Sequence, residues 1–330
     1  MKNRLIALFI SLFISLTLIF SLLTLPSCTQ IQRSKSYSFI TSFDTVVTVE
    51  AFMDEYRFAI FYTDVEKALV KYHKYYDIYH EYSGINNLCT VNLNAGIAPV
   101  SVDREIIDLL LFAKEWHEKS GGALNVAMGG VFALWHEYRT NGNGILPPYA
   151  DLQDTALHTD INAIVIDEEN STVFITDERV RLDAGAIAKG YAVEQVASLA
   201  LNRGYTSFLI NAGGDIKTVG KSKLSDGLWR VGITNPDPAA EDPYLQIFEL
   251  SDTSVMTSGD YERYYTVDGQ RYSHIIDPAT LYPSDKYRSV TVICSDSGIA
   301  DALSTILFIL EKDAGMNLLL EIDGAEAFYY

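Results

Sequence analysis

The sequence predicts an α+β fold, and three observations lead there. Strand-like and helix-like segments are mixed along the chain without the strict alternation of a doubly wound sheet. Two short β-branched runs, 163–166 and 173–175, lie close enough in sequence to pair as a hairpin. The 330 residues, 48% of them hydrophobic, suffice for one large domain or two small ones, with no internal repeat and no second long apolar span.

The N-terminal segment stands apart from that fold. Lys2 and Arg4 precede an uncharged stretch from Leu5 to Leu25, a positive start followed by an apolar run. It ends in Leu25-Pro26-Ser27-Cys28, which resembles a bacterial lipobox. On that reading residues 1–27 are a signal peptide, Cys28 carries the lipid, and 28–38 form a polar tether to a domain over 39–330. The apolar run is also long enough to cross a bilayer as a retained anchor. Either way the remainder is expected outside the cytoplasmic membrane and held to it.

From there the elements follow in order. Thr45–Phe52 alternates and is β-branched, a strand. Glu55–Tyr76 reads as a helix, with Phe58, Phe61, Val65, Leu69 and Tyr72 near helical spacing. Tyr79–Gly96 is rich in turn residues. Ser101 is placed as the N-cap of a helix to about Lys119, with Asp103 and Glu105 in its first turn and Gly121-Gly122 beyond its end. Asn141–Pro148 is a loop by composition. A helix is expected over Ala186–Arg203, stopped by Gly204. Strands are expected at Phe208–Ile210, Trp229–Ile233, Leu245–Leu250, Tyr272–Ile276 and Ser289–Ile293, with a proline-rich loop over Asn235–Pro243. Helices near Ile299–Leu310 and Ala314–Leu320 and a strand at Glu326–Tyr330 complete the chain.

A net charge of −18 excludes nucleic acid as an expected partner, because phosphate backbones need clustered Lys and Arg. It does not exclude a phosphate-bearing ligand, since one divalent cation can offset local repulsion. Of three cysteines, Cys28, Cys89 and Cys294, none falls in a CxxC pair or at zinc spacing; Cys89 and Cys294 could pair in an oxidising compartment, but read first as two unpaired thiols.

Four constellations could carry chemistry. In LDAGAIAKGYAVE (182–194), a strand-like end gives way to small residues and a helix start whose free N–H groups suit an anion, with Lys189 on the first turn. The same small residues would also serve a tight helix–sheet contact. In NAGGDI (211–216), a Gly-Gly turn presents Asn211 and Asp215, as many ordinary turns do. His274 stands just before an Asp277-Pro278 turn and near a Ser258-Gly259 loop; taken alone it reads as structural. Asp301 and Thr305 are i and i+4 on one helix face, a carboxylate and a hydroxyl suited to a hard cation such as Mg²⁺. They equally suit an acid at a helix start and a threonine bonded to its own turn.

In combination, LDAGAIAKGYAVE, NAGGDI, TSGDYERYYTVDGQRYSHIIDPAT (257–280) and SVTVICSDSGIADALSTIL (289–307) resemble, in order and residues, the ApbE family of flavin transferases. Weaker similarity reaches Ser42–Thr48 and Gly122–Ala127, so the resemblance spans nearly all of the chain after its leader. It implies a T-fold-related arrangement of antiparallel sheets with packed helices. It implies an enzyme that splits the pyrophosphate of FAD with Mg²⁺, attaches FMN to a Ser or Thr of a redox protein, and releases AMP. By the same resemblance, the Ala186 carbonyl and the side chains of Asp301 and Thr305 hold the metal, with Ser304 adjacent. Asp183, Lys189 and the backbone at Ile275 contact FAD; Asn125, Val126 and Ala127 line the flavin pocket; Tyr79 stacks in it; and His274 is the base.

Two departures matter. Many relatives have Gly where this chain has Leu281, so a different turn is expected there. Asn125 and Ala127 replace Asp and Thr, which alters the hydrogen bonding expected in the flavin pocket. Two other readings compete: an FAD pyrophosphatase that uses water in place of the hydroxyl, and a lipoprotein that binds FAD without turning it over. A base and a metal pair argue against mere binding.

Overall fold

The computed structural model describes residues 34–330 apart from 142–143, 225 and 238. The leader, Cys28 and the lipid-attachment reading lie outside the described residues. Residues 34–330 form one compact unit. No helix among the described residues is long and apolar enough to cross a membrane.

In chain order the elements are β1 (Lys35–Ser42), β2 (Thr45–Ala51), α1 (Glu55–Tyr76), α2 (Leu88–Leu93), β3 (Val100–Ser101), α3 (Arg104–Lys119), α4 (Gly129–Thr140) and α5 (Tyr149–Ala156). They continue with β4 (Ile164–Asp167), β5 (Thr172–Ile175), α6 (Ala188–Asn202), β6 (Phe208–Ala212), β7 (Asp215–Val219), β8 (Trp229–Thr234) and β9 (Tyr244–Leu250). The last are β10 (Ser254–Gly259), β11 (Tyr264–Val267), β12 (Gln270–Ser273), β13 (Ser289–Cys294), α7 (Ser297–Ile309), α8 (Lys312–Leu319) and β14 (Glu326–Tyr329).

A seven-stranded sheet in the order β1-β2-β6-β7-β10-β13-β14 is the frame, and every neighbouring pair in it is antiparallel. Helix α6 packs against both α1 and α7, and all three pack on the sheet. The apolar stripe of α1 (Phe58, Phe61, Val65, Leu69) enters one core with Ala192, Val193, Val196 and Ala197 of α6 and with Leu303, Ile306 and Leu307 of α7. The α+β class is therefore what the chain adopts: mixed elements on an antiparallel sheet.

Several expectations need correction. Lys35–Ser38, assigned to a tether, is the first half of β1, whose polar alternation suits an edge strand paired on β2. The β1–β2 turn places Phe43 and Asp44 at φ 55° and 51°, the left-handed geometry of a tight hairpin. Ser101 ends β3, and Asp103 occupies the N-cap position of α3. Ser258-Gly259 is the end of β10 and not a loop, because its neighbours are buried in register against β13. The strand expected over Tyr272–Ile276 ends at Ser273. The reading of Cys89 and Cys294 as unpaired thiols needs no correction: both are buried and free.

Leu281 also overturns an expectation. It sits at φ 64°, the conformation a glycine would take, although a branched side chain makes that costly. Three hydrogen bonds hold it there: Leu281 N–H to the Asp277 carbonyl at 2.8 Å, Asp277 N–H to the Tyr282 carbonyl at 2.8 Å, and Trp135 Nε1–H to the Leu281 carbonyl at 2.9 Å. The turn keeps the glycine-type shape because its surroundings over-determine it.

Candidate active site

The site is built where the start of α6 meets the middle of α7. The first N–H groups of a helix have no intrahelical acceptor. In α6, the Gly190 N–H donates to Asp301 Oδ2 of α7 at 2.7 Å. That bond satisfies one of the N–H groups which the start of the helix leaves unpaired. Ser297 Oγ–H donates to the Gly190 carbonyl at 2.9 Å, and Glu194 Oε2 accepts from both the Ser297 N–H and its hydroxyl, at 2.7 and 2.9 Å. These bonds clamp α6 to α7.

Glycine at 190 makes the clamp possible. A Cβ there would fall 2.4 Å from Asp301 Cβ and 2.4 Å from the Ser297 carbonyl oxygen. Gly190→Ala is expected to force the helices apart, lowering stability by about 3 kcal/mol and the melting temperature by at least about 6 °C. A thermal melt followed by circular dichroism checks this; an unchanged midpoint would contradict it.

Charge is concentrated at this junction. Lys189, on the first turn of α6, ion-pairs with Asp215 at the start of β7. Asp215 is buried and also accepts the Thr257 N–H at 3.3 Å. Burial lowers the Lys189 pKa, but Asp215 and Asp301 outweigh it and push the ammonium up to about 12. Asp301 is buried, and burial with the nearby Asp215 charge pushes its carboxyl up to about 7, against the opposing pull of Lys189 and the Gly190 N–H.

A raised carboxyl pKa has a definite sign. In the metal-free chain the acid form is favoured, so the stability it lends is full below its ordinary 3.8 and is lost as pH rises through about 7. A cation needs the ionised form. Affinity for Mn²⁺ is expected to climb about tenfold per pH unit up to about 7 and then level off, in a titration from about pH 5.5 to 8.5. A flat profile would remove Asp301 from the ligand set.

Thr305 lies one turn beyond Asp301, partly exposed, as the i, i+4 spacing anticipates. Its hydroxyl is 3.2 Å from Ser258 Oγ of β10. Ser304, expected beside the metal, is turned inward: it is buried, and its hydroxyl donates to the Asp301 carbonyl at 2.9 Å.

His274 follows β12 directly. Burial, then the Arg263 and Arg139 charges, lower its pKa to about 3, while a hydrogen bond to the Arg263 backbone works the other way. The imidazole is therefore neutral at pH 7. Its Nδ1 is buried with no hydrogen-bond partner among the described residues. Lys189 also contributes to its lowered pKa, which places the ring within electrostatic reach of the α6 start.

The remaining expected residues divide. Asp183 lies just before α6; burial raises its carboxyl, opposed by the Gly185 N–H at 2.8 Å and by Arg263. Tyr79 is exposed, 6.2 Å from the His136 ring and within electrostatic reach of Asp183, Arg263 and Arg139. Asn125, Val126 and Ala127 run beside Asp183, whose N–H donates to the Val126 carbonyl at 2.8 Å. The Val126 and Ala127 side chains are buried in the core, so this stretch offers a ligand mainly backbone. Asn125 is self-contained, accepting from the Ala127 N–H and donating to the Thr159 carbonyl, both at 2.9 Å. At Ile275 the carbonyl already accepts from the Ser284 N–H at 2.9 Å and the N–H reaches Ser273 Oγ at 3.4 Å.

Sequence reasoning missed the role of three contributors. Gly190 and Arg263 lie inside matched segments; in sequence Gly190 reads as room for a ligand backbone, whereas the structure uses that room for Asp301 and Ser297 of α7. Arg139 lies on α4, a helix the sequence did not signal, and joins the site only through packing.

A family model described as the ApbE family matches residues 43–329. A FAD:protein FMN transferase of Treponema pallidum is 35% identical over 255 residues, covering 73% of this chain and 70% of the relative. One from Klebsiella pneumoniae is 33% identical over 240 residues, covering 72% and 73%. Among solved structures, the ApbE protein of Thermotoga maritima superposes with a TM-score of 0.79 at 27% identity, covering 90% of this chain and 94% of that one. The apo form of Pseudomonas stutzeri flavinyl transferase ApbE gives 0.75 at 27% identity, covering 90% of each.

Proposed function

The chain belongs to the ApbE family, and from that premise we propose that it is a FAD:protein FMN transferase that moves FMN from FAD onto a Ser or Thr hydroxyl of a redox protein and releases AMP. The observation that carries this reading is the α6–α7 junction. There the buried Asp301 carboxyl meets the start of α6 through the Gly190 N–H, the Thr305 hydroxyl follows one turn along α7, and Lys189 lies within electrostatic reach of the uncharged His274.

The donors suit Mg²⁺. All are oxygens, as a hard cation prefers, and the Asp215 and Glu262 charges add to that of Asp301, with Lys189 opposing them. No cluster of three His, Cys, Asp or Glu poised for a metal exists among the described residues. Mg²⁺ typically takes one or two carboxylates and completes its shell with water and substrate phosphates. Asp301, Thr305 and the Ala186 carbonyl would hold it, and it would supply charge neutralisation on the pyrophosphate.

His274 takes the proton of the acceptor hydroxyl. Its oxygen attacks the phosphorus attached to riboflavin, a phosphoester forms, and the P–O bond to the AMP phosphate breaks with the electron pair leaving on AMP. A histidine can take a proton only from its uncharged form, which His274 holds. The phosphates also offset Arg263 and Arg139, the charges that depress its basicity. Lys189 steadies the anion, and Tyr79 offers an exposed ring to the flavin. We further propose export and anchoring through lipid on Cys28, which places the acceptor outside the cytoplasmic membrane.

The test is the intact mass of an acceptor domain after incubation with the purified protein, FAD and Mg²⁺. A gain equal to FMN less water, with AMP released and EDTA blocking both, is expected. AMP and free FMN with no gain on any acceptor that a known transferase labels would favour hydrolysis instead.

A further inference from the structure

The hydroxyls of Ser258, Ser304 and Thr305 form a chain whose hydrogens can be counted. Ser304 Oγ lies 2.9 Å from the Asp301 carbonyl oxygen. A carbonyl only accepts, so Ser304 spends its one hydrogen there. Ser258 Oγ lies 2.9 Å from Ser304 Oγ, and Ser258 must therefore supply the hydrogen between them. Ser258 Oγ also lies 3.2 Å from Thr305 Oγ1. With its own hydrogen committed, Ser258 can only accept at this contact, and Thr305 donates.

We propose that Ser258 is a positioning residue for the cation, acting by drawing the Thr305 hydrogen toward the interior and leaving the Thr305 oxygen as a pure acceptor. The inference rests on the reading of Asp301 and Thr305 as metal ligands. The surroundings support such a role. Ser258 is fixed by the sheet, in register with Val290 of β13, and not by a loop. Ser258 and Ser304 are both buried, so water does not compete for either hydroxyl. The Ser304 bond to Asp301 fixes the direction of the whole chain from within the helix that carries both ligands. A hydroxyl ligates a cation through its lone pairs, and a hydrogen aimed at the ion would oppose binding. Groups that orient metal ligands in this way commonly change affinity by tenfold or more.

The experiment is a Mn²⁺ titration by electron paramagnetic resonance on the full chain, with a thermal melt in EDTA to certify the fold. Ser258→Ala is expected to weaken Mn²⁺ binding roughly tenfold with little change in the melt. Ser258→Thr, which keeps the hydroxyl, retains it within about twofold. Ser304→Ala frees the Ser258 hydrogen to point at Thr305 and is expected to match Ser258→Ala. The double variant is expected to be no weaker than Ser258→Ala alone, because both act through one chain. Wild-type affinity in Ser258→Ala, or losses that multiply in the double variant, would overturn the inference. If Ser258→Ala does not fold, Ser304→Ala decides, wild-type affinity there being the negative result. Asp301→Asn and Thr305→Val separate the two levels: wild-type Mn²⁺ binding in them would remove the metal reading itself, whereas loss in them with retention in both serine variants would remove only the role of Ser258.

Discussion

Asp301→Ala is expected to lower flavin transfer at least about a thousandfold, because metal neutralisation of a pyrophosphate supplies several kcal/mol of transition-state stabilisation. Two roles meet in this one carboxylate. It is the anionic donor of the proposed metal site, and it accepts the Gly190 N–H that starts α6. Asp301→Asn separates them, since an amide oxygen can still accept that N–H but carries no charge. Both variants should lose Mn²⁺ binding, while the asparagine form keeps more of the wild-type melting temperature. FAD binding should persist in part, through Lys189, Tyr79 and the backbone near Asp183. Steady-state transfer, measured as the rate of acceptor mass gain with Mg²⁺ present, gives the decision. Wild-type turnover in Asp301→Ala would move the metal elsewhere.

His274→Ala is expected to reduce the transfer rate between about a hundredfold and ten-thousandfold, the range over which a positioned base contributes. FAD affinity should change by less than about threefold, since the lost group serves the acceptor proton and not the ground-state contacts. Mn²⁺ affinity should be unaltered, which distinguishes this variant from Asp301→Ala. The neighbourhood explains why histidine suits the role. Burial and two arginines keep the ring uncharged, and an unpartnered Nδ1 leaves a ring nitrogen uncommitted. A single-turnover assay with saturating FAD reads the step directly. Transfer at the wild-type rate would assign the proton to another group.

Much of the fold is legible in the chain because its elements carry their own signals. Glu55–Tyr76 is bounded as expected, since Asp54 caps it by accepting the Arg57 N–H at 2.9 Å and its apolar positions recur at helical spacing. The 164–175 hairpin and the strand at Ser289–Cys294 are legible for the same reason. Helices α4 and α5 were not. Their N-cap positions hold Met128 and Pro148, neither of which makes a side-chain cap bond, so no local start signal exists. Lys35–Ser38 reads as tether because its backbone pairing with β2 leaves no mark in a polar sequence.

The sequence by itself determined the α+β class, the order of the motifs and the residue types able to bind a hard cation and take a proton. Those follow from periodicity, side-chain chemistry and a match of several separated segments. The tertiary structure alone decided how those residues act together. It brings Gly190 against Asp301 across 111 positions of chain. It drives the Asp301 carboxyl up and the His274 imidazole down by burial and by charges on other elements. It also holds Leu281 in a glycine-like turn and turns Ser304 inward. Each of these depends on desolvation and on contacts between distant segments, which exist only once the helices and the sheet have packed.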